Sequence, residues 1–160
     1  MQIYLARHGI AESGGGRTRD ADRALTATGM ADLRLLFTAA KRWGVSPSMI
    51  VSSPYLRARQ TAEIAASALG YRGSIEENAA FVPNTDTAAA WDEIRDYRDE
   101  GSLLIASHEP LVGLLIGYLT GAPSLGVGVE RGAMACIAVE SFGPQPRGVL
   151  RWFVNPSIAG

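Results

Sequence analysis

Short apolar runs alternate along this chain with longer segments in which apolar residues recur at helical spacing. The runs predict six β-strands, at residues 2–6, 48–52, 74–76, 102–106, 134–140 and 149–154. The periodic segments predict four α-helices, at residues 27–43, 54–69, 87–100 and 111–119. Residues suited to helix N-caps precede three of the helices, and these are Thr26, Ser53 (with Pro54 at the first helical position) and Asp86. A glycine follows each helix, which predicts where it ends.

Strands and helices alternate for most of the chain, an order typical of an α/β fold whose parallel sheet is covered on both faces. Only a turn rich in Gly and Pro, at residues 143–146, separates the last two strands. They are therefore expected to form a hairpin at an antiparallel edge of the sheet. No internal repeat or linker is visible, and the length suits a single domain over residues 1–160.

Composition narrows the class of protein. Of the 160 residues, 47% are hydrophobic and 19% are charged, and the net charge is −1. A globular protein is expected, with no general attraction to nucleic acid or to an anionic membrane. Cys136 is the one cysteine, which excludes an intrachain disulfide and a cysteine-based zinc site. A first strand at Gln2 leaves no room for a signal peptide, and no apolar run is long enough to span a bilayer, so a cytoplasmic location is expected.

Three strand-to-helix junctions carry polar side chains that suggest chemistry. Arg7 and His8 follow the first strand, Arg57 lies in the first turn of the helix after the second, and His108 follows the strand at residues 102–106. The carboxyl ends of parallel strands meet at one edge of a sheet, where open α/β folds bind ligands. Both histidines and two arginines are therefore expected to meet there, beside the positive ends of two helices.

Each of these side chains also has a structural interpretation. His8 can cap a strand, and His108 can be a histidine satisfied within the core. Arg57 opposes the dipole of its helix, and either a bound anion or a nearby carboxylate can offset that cost. The chain contains only two histidines, so finding both at equivalent junctions favours a shared anion site over packing alone.

Four segments resemble the histidine phosphatase superfamily, also called phosphoglycerate-mutase-like. They are residues 5–9 (Leu-Ala-Arg-His-Gly), 25–29 (Leu-Thr-Ala-Thr-Gly), 52–62 (Ser-Ser-Pro-Tyr-Leu-Arg-Ala-Arg-Gln-Thr-Ala) and 107–108 (Ser-His). The short length and residues 107–113 and 150–153 look most like its SixA-type branch, the phosphohistidine phosphatases. The resemblance implies a three-layer α/β/α sandwich with a mostly parallel sheet.

The resemblance also implies roles for four residues. His8 would be the nucleophile and form a phosphohistidine intermediate, Arg7 and Arg57 would hold the phosphoryl oxygens, and His108 would complete the pocket as a hydrogen-bond donor. A neutral, oriented histidine is a competent covalent catalyst. Phosphoryl transfer needs chiefly positioning and charge stabilisation, so neither a metal nor a cofactor is expected.

The polar loop at residues 11–23 contains Gly14-Gly15-Gly16 and three arginines. Arg23 matches an arginine that SixA-like proteins place near the substrate phosphate, and Arg17 and Arg19 are possible substitutes. The glycine triplet lacks the Gly-x-x-x-x-Gly-Lys pattern of a phosphate-binding loop, so a mobile loop is the favoured interpretation.

The sequence departs from the mutase-like members where they supply a general acid. They usually place a carboxylate after the second helix, but residues 78–84 read Asn-Ala-Ala-Phe-Val-Pro-Asn. Glu76, Glu77 and Asp86 are nearby candidates, although surface carboxylates are the simpler interpretation. Glu109, beside the predicted site, is assigned a structural role at a helix start, with its side chain turned away from the phosphate. A missing acid handicaps an alkoxide leaving group far more than a protonated imidazole.

Three functions are compatible with these residues. The first is a metal-independent phosphatase acting on phosphohistidine in a phosphotransfer or signalling protein, such as a histidine phosphotransfer domain. Its pocket, uncapped by any long insertion, would admit a protein surface. The second is a phosphomonoesterase of the same superfamily with a small phosphorylated substrate. The third is a phosphate-binding regulatory module without turnover, which would have no need of a nucleophile.

Overall fold

The computed structural model describes residues 1–16 and 18–156. Six strands in this part of the chain form one sheet: β1 (Gln2–Arg7), β2 (Met49–Ser52), β3 (Ile75–Glu77), β4 (Ser102–Ser107), β5 (Met134–Ser141) and β6 (Arg147–Val154). The accompanying helices are α1 (Ala27–Arg42), α2 (Leu56–Leu69), α3 (Thr87–Asp96) and α4 (Leu111–Leu119). Two short 3-10 turns lie at Asp20–Asp22 and Ala79–Phe81. None of the described helices is both long and apolar enough to cross a membrane.

The strands follow the order β3-β2-β4-β1-β5-β6 across the sheet. Strands β3, β2, β4 and β1 run parallel, whereas β5 pairs antiparallel with both β1 and β6. The predicted α/β class, with a mostly parallel sheet and an antiparallel edge, is confirmed. The parallel part is the one that positions the site, because its carboxyl ends converge on one edge.

Alternating side chains along the strands divide the core into two layers. Ile3 and Leu5 of β1 pack with α3 and α4, whereas Tyr4 and Ala6 pack with α1 and α2 on the opposite face. Strand β4 is buried along its whole length, as expected of a strand covered on both faces. The result is a three-layer α/β/α sandwich.

Helix α1 begins where the sequence predicts and packs closely on the loop that follows β1. The Thr26 side chain caps it by accepting the Gly29 N–H at 3.0 Å. A Cβ at Gly29 would lie 2.3 Å from the Ile10 carbonyl oxygen, and one at Gly9 would lie 2.8 Å from the Leu33 side chain. These two glycines let α1 hold the loop carrying the first histidine.

Two helix boundaries differ from the predictions. Helix α2 begins at Leu56 rather than Pro54, and its N-cap position is held by Tyr55 rather than Ser53. The Ser53 hydroxyl contacts a histidine instead, as described below. Helix α3 ends at Asp96 rather than at the predicted residue 100, because the Tyr97 N–H bonds back to the Ile94 carbonyl and the chain continues in turns.

Candidate active site

The two histidines leave neighbouring parallel strands at the same edge of the sheet. Arg7 of β1 is in register with Ser107 of β4, so His8 and His108 occupy equivalent positions after their strands. The His8 N–H donates to the Ser107 carbonyl at 2.9 Å, and the two imidazole centroids are 5.0 Å apart. Both residues are buried. The structure thus brings together the pair that the sequence places at one edge.

Hydrogen bonds determine which nitrogen of His8 is protonated. Its Nδ1 lies 2.7 Å from the Gly9 carbonyl oxygen, which can only accept, so Nδ1 carries the hydrogen. Its Nε2 lies 3.2 Å from Arg57 Nε, which can only donate. His8 is therefore a neutral imidazole whose lone pair on Nε2 points in a fixed direction, as a histidine nucleophile requires.

The surroundings of both histidines disfavour their charged forms. Burial is the main cause that lowers the pKa of His8 from 6.5 to about 4, and the positive charges of Arg57, Arg7 and Arg23 add to it against the opposing Gly9 hydrogen bond. Burial likewise lowers the pKa of His108 to about 3, with contributions from His8 and Arg57. Both imidazoles are neutral at pH 7.

Arg57 links the His8 ring to the polar loop. It lies in the first turn of α2 and is 3% exposed. Its Nη1 donates to the Asp20 carbonyl at 2.6 Å, and its Nη2 donates to the Asp20 carboxylate at 3.0 Å. Asp20 is thus the carboxylate that offsets a cation at a helix N terminus. The Arg57 guanidinium also lies over the Tyr55 ring, 5.0 Å from its centroid.

His108 is held from the β2–α2 junction. Its Nε2 lies 2.8 Å from Ser53 Oγ, and the Tyr55 ring packs edge-on against it with centroids 5.0 Å apart. The other nitrogen, Nδ1, is buried and has no hydrogen-bond partner within the described residues. A buried polar nitrogen without a partner costs free energy unless a ligand supplies one.

Arg7 adds a second guanidinium beside the histidines. Its Nη1 donates to the Val129 carbonyl at 2.5 Å, and its Nε is a second buried donor without a partner in the described part of the chain. Burial lowers the pKa of Arg7, and the negative charge of Glu109 opposes this effect. An arginine nevertheless stays charged at neutral pH. Arg7 therefore offers an unused N–H and a positive charge to an anion.

A cleft of about 490 Å³ opens at this edge and is lined by Arg7, His8, Arg57 and His108, which we call the phosphate cleft. Arg23 also lines it and donates to the Asp20 carboxylate at 2.6 Å and to the Glu12 carbonyl at 3.0 Å. Of the two possible substitutes for Arg23, Arg19 pairs with Asp22 on the surface, and Arg17 lies outside the described residues.

Comparisons with known proteins agree with this geometry. The family model of the histidine phosphatase superfamily (branch 1) matches residues 3–81. An uncharacterized protein of Picosynechococcus sp. is 34% identical over 114 residues, covering 71% of this chain and 69% of that protein. The phosphohistidine phosphatase SixA of Escherichia coli is 29% identical over 158 residues, covering 98% of this chain and 94% of SixA. The chain belongs to the histidine phosphatase superfamily.

Solved structures extend this similarity to the whole fold. The protein histidine phosphatase SixA in complex with tungstate superposes with a TM-score of 0.90 and 27% identity, over 100% of both chains. A mycobacterial glucosyl-3-phosphoglycerate phosphatase, at TM-score 0.71 and 13% identity over 93% of this chain and 96% of that one, shares the fold alone. This histidine phosphatase is a hydrolase homologous to SixA, and not a module that only binds phosphate.

The three candidate general acids of this histidine phosphatase are engaged elsewhere. Glu76 accepts the Tyr97 hydroxyl at 2.5 Å, Glu77 pairs with Arg59 at 3.0 Å, and Asp86 caps α3. None of the three lines the phosphate cleft. Glu109 does line it, and its carboxylate accepts the Gly113 N–H at 3.0 Å in the first turn of α4. This hydrogen bond at the start of α4 is the structural role expected of Glu109. The residue nevertheless lines the cleft, so it is not turned fully away from the site.

Three residues that organise the site were not identified from the sequence. Asp20 joins Arg57 to Arg23, Ser53 holds His108, and the Thr61 hydroxyl accepts the Gly9 N–H at 3.3 Å while donating to the Arg57 carbonyl at 2.7 Å. The need for an anion near Arg57 was a signal for Asp20. Ser53 carries no comparable signal, because polar residues near helix starts are common, and Thr61 lies within α2, where its spacing does not set it apart.

Proposed function

We propose that this histidine phosphatase removes the phosphoryl group from phosphohistidine in a phosphotransfer or signalling protein, with His8 as the nucleophile. The observation that carries the proposal is the neutral His8 ring, with Nδ1–H on the Gly9 carbonyl and Nε2 against Arg57 in a cationic cleft. The homologue SixA of Escherichia coli is a phosphohistidine phosphatase, which supports the same substrate class here.

In the first step, the Nε2 lone pair of His8 attacks phosphorus and the bond from phosphorus to the substrate imidazole breaks. That electron pair returns to the leaving nitrogen. A substrate ring protonated on its other nitrogen then departs as a neutral imidazole. His8 becomes a phosphoimidazolium whose Nδ1–H remains on the Gly9 carbonyl. The acceptor and the leaving group are the same chemical group, so this step needs no general acid.

In the second step, water attacks the phosphorus of phosphorylated His8 and inorganic phosphate is formed. The electron pair of the breaking bond returns to Nε2, which restores the neutral ring with its hydrogen on Nδ1. The proton lost by water passes to phosphate or to solvent. Over the whole cycle His8 gains and loses only the phosphoryl group.

Charge stabilisation comes from Arg7, Arg57 and His108. Arg57 has five guanidinium hydrogens. Two donate to Asp20. The Nε hydrogen donates to His8 Nε2 and must leave that lone pair before His8 attacks, so three hydrogens can turn to phosphoryl oxygens. Arg7 Nε and His108 Nδ1 are buried without partners in the described residues, and a phosphoryl oxygen would satisfy such donors. SixA was solved with tungstate, a tetrahedral oxyanion like phosphate, and we expect this cleft to bind such anions.

Esters are the poorer substrates under this proposal. An alkoxide must be protonated as it leaves, and Glu76, Glu77 and Asp86 do not line the phosphate cleft. Two other carboxylates do line it, but Glu12 is exposed to solvent and Glu109 already accepts the Gly113 N–H. We therefore rank the small-molecule phosphomonoesterase below the phosphohistidine phosphatase.

The test compares turnover of phosphoramidate and a phosphohistidine protein with a series of phosphate monoesters of rising leaving-group pKa. We expect kcat/KM to fall steeply along the ester series, with phosphoserine peptides at least about 100-fold below phosphohistidine, the lower end of what one general acid contributes. Glu76→Gln and Asp86→Asn serve as controls and should leave every rate unchanged. Equal turnover of phosphoserine and phosphohistidine would contradict the proposal.

A further inference from the structure

A second depression lies beside the phosphate cleft, and its walls are apolar. It encloses about 300 Å³. We call it the apolar groove and define it by its apolar side chains, Ile10, Leu35, Leu36, Ala39, Trp43 and Pro156. Leu35 is 72% exposed, Trp43 is 50% exposed and Ile10 is 36% exposed. Three of the large apolar residues that the protein leaves in solvent are thus gathered in one place.

The groove is built on a second apolar face of α1. Asp32, Leu35, Leu36, Ala39 and Trp43 all line it and recur at helical spacing. The adjoining side of the helix packs on the sheet through Phe37 and Ala40, and Leu33 and Leu36 lie between the two faces because they line the groove and also belong to the core. Trp43 packs edge-on against Trp152 of β6, with ring centroids 5.8 Å apart, and keeps half of its surface exposed. Burial in the core does not explain Leu35, and contiguous exposed apolar residues commonly mark an interaction surface.

The groove continues into the phosphate cleft. Ile10 and Arg131 line both. The backbone of Ile10 follows His8 and Gly9 directly, and its carbonyl accepts the Thr26 N–H at 2.9 Å. A molecule that places a phosphoryl group against His8 would therefore pass over Ile10 onto α1.

We propose that the apolar groove receives the helix of the protein substrate that carries the phosphohistidine. This inference rests on the proposed function. The lining residues of α1 and its C-cap run from Gly29 to Trp43, about 21 Å at ~1.5 Å per residue, which exceeds the length of one phosphohistidine side chain and matches about four turns of a helix. An apolar stripe at positions three, four and seven residues from the phosphohistidine would face the groove.

Asp32 and Arg131 both line the groove, so its charge favours a helix with a basic side chain near Asp32 and an acidic one near Arg131. Asp32 is exposed, lines the groove and forms no ion pair within the described residues. A lysine or arginine of the substrate can pair with it. A second copy of this chain is the alternative occupant, but it would cover Ile10 at the mouth of the phosphate cleft and obstruct a protein substrate.

The experiment uses Leu35→Asp, with Leu114→Asp as a matched control. Leu114 is also an exposed leucine on a helix, at 46%, and lies outside the groove. The substrates are a histidine phosphotransfer domain phosphorylated on its histidine and the small molecule phosphoramidate. We expect Leu35→Asp to raise KM for the domain about tenfold, the effect of one interface hot spot. Its kcat and its phosphoramidate turnover should not change, and Leu114→Asp should match wild type on both substrates.

Other outcomes separate the two proposals. If wild type hydrolyses neither substrate, the proposed function fails. If wild type hydrolyses both but Leu35→Asp affects neither or affects both equally, the groove is not the docking surface. Size-exclusion chromatography provides a further check, because a wild-type dimer that Leu35→Asp dissociates would assign the groove to a second copy and overturn the inference.

Discussion

The two histidines occupy equivalent places in the fold, yet their hydrogen bonds differ. His8 follows β1 and His108 follows β4, and the last residues of these strands are in register. In His8, Nδ1 is bound to a carbonyl and Nε2 faces Arg57. In His108, Nε2 is bound to Ser53 and Nδ1 has no partner within the described residues.

The end of each strand therefore positions an imidazole in the site, and the hydrogen bonds around the ring determine which role its two nitrogens can take. A lone pair on a ring fixed by a carbonyl suits nucleophilic attack. In His108, if the Ser53 hydroxyl donates to Nε2, then Nδ1 carries the hydrogen, and an N–H without a partner suits stabilisation of an oxyanion.

His8→Asn should abolish turnover. Asparagine approximates the size and polarity of the ring but offers no lone pair for attack, so we expect kcat for phosphoramidate to fall by about 10⁴-fold or more, as for other lost nucleophiles. Steady-state phosphate release measures this loss. Circular dichroism of the variant should match wild type, and residual activity within about tenfold of wild type would show that His8 is not the nucleophile.

His108→Asn should reduce kcat by about 10²–10³-fold, the cost of one donor to a developing oxyanion. The residual activity should still depend on His8, so the double variant His8→Asn/His108→Asn should be no more active than His8→Asn alone. A loss as complete as that of His8→Asn would remove the distinction between the two rings.

Ser53→Ala should have a smaller effect, about tenfold on kcat, because it leaves the buried His108 Nε2 without its partner. The matched control is Ser52→Ala, since the Ser52 hydroxyl is also buried but donates to the Ser53 carbonyl at 2.8 Å. If both variants behave alike, the contact between Ser53 and His108 does not position the ring.

The free energy of unfolding should fall as the pH is lowered. The contribution expected from each histidine is smaller than the effects of the substitutions above. An unfolded histidine has a pKa near 6.5, whereas burial lowers the pKa of His8 to about 4 and that of His108 to about 3. Below about pH 6.5 the unfolded chain binds more protons, so the free energy of unfolding decreases towards pH 4. Urea unfolding between pH 5 and 8 measures the slope, and each His→Asn variant should flatten it. An equally steep slope in both variants would contradict the lowered pKa values.

Much of the fold was predictable because local signals and tertiary packing agree. The uninterrupted apolar run of β4 and the Thr26 cap of α1 specify their elements without reference to the rest of the chain. The register of β1 and β4 then brings His8 and His108 together, as alternation of strands and helices implies. Each strand and helix is thus determined locally, and the order of the elements along the chain implies which strand ends meet.

The prediction of a Ser53 cap failed and two features were missed, chiefly because they depend on partners distant in sequence. Ser53 looks like a helix cap, but its hydroxyl contacts His108, which lies 55 residues away. Asp20 reaches Arg57 across 37 residues from a polar loop with little periodicity of its own. The exposed apolar face of α1 was also missed, because helical spacing alone does not show which face the sheet covers.

The most direct test of the central claim is to trap the phosphorylated enzyme. Wild type, His108→Asn and His8→Asn are mixed with ³²P-labelled phosphoramidate, quenched in alkali to preserve phosphohistidine, and separated on a denaturing gel. We expect label on wild type, retained label on His108→Asn and none on His8→Asn, with the label lost in acid as for phosphohistidine. Equal labelling of His8→Asn, or turnover by wild type without any label on the protein, would contradict the assignment of His8 as the nucleophile.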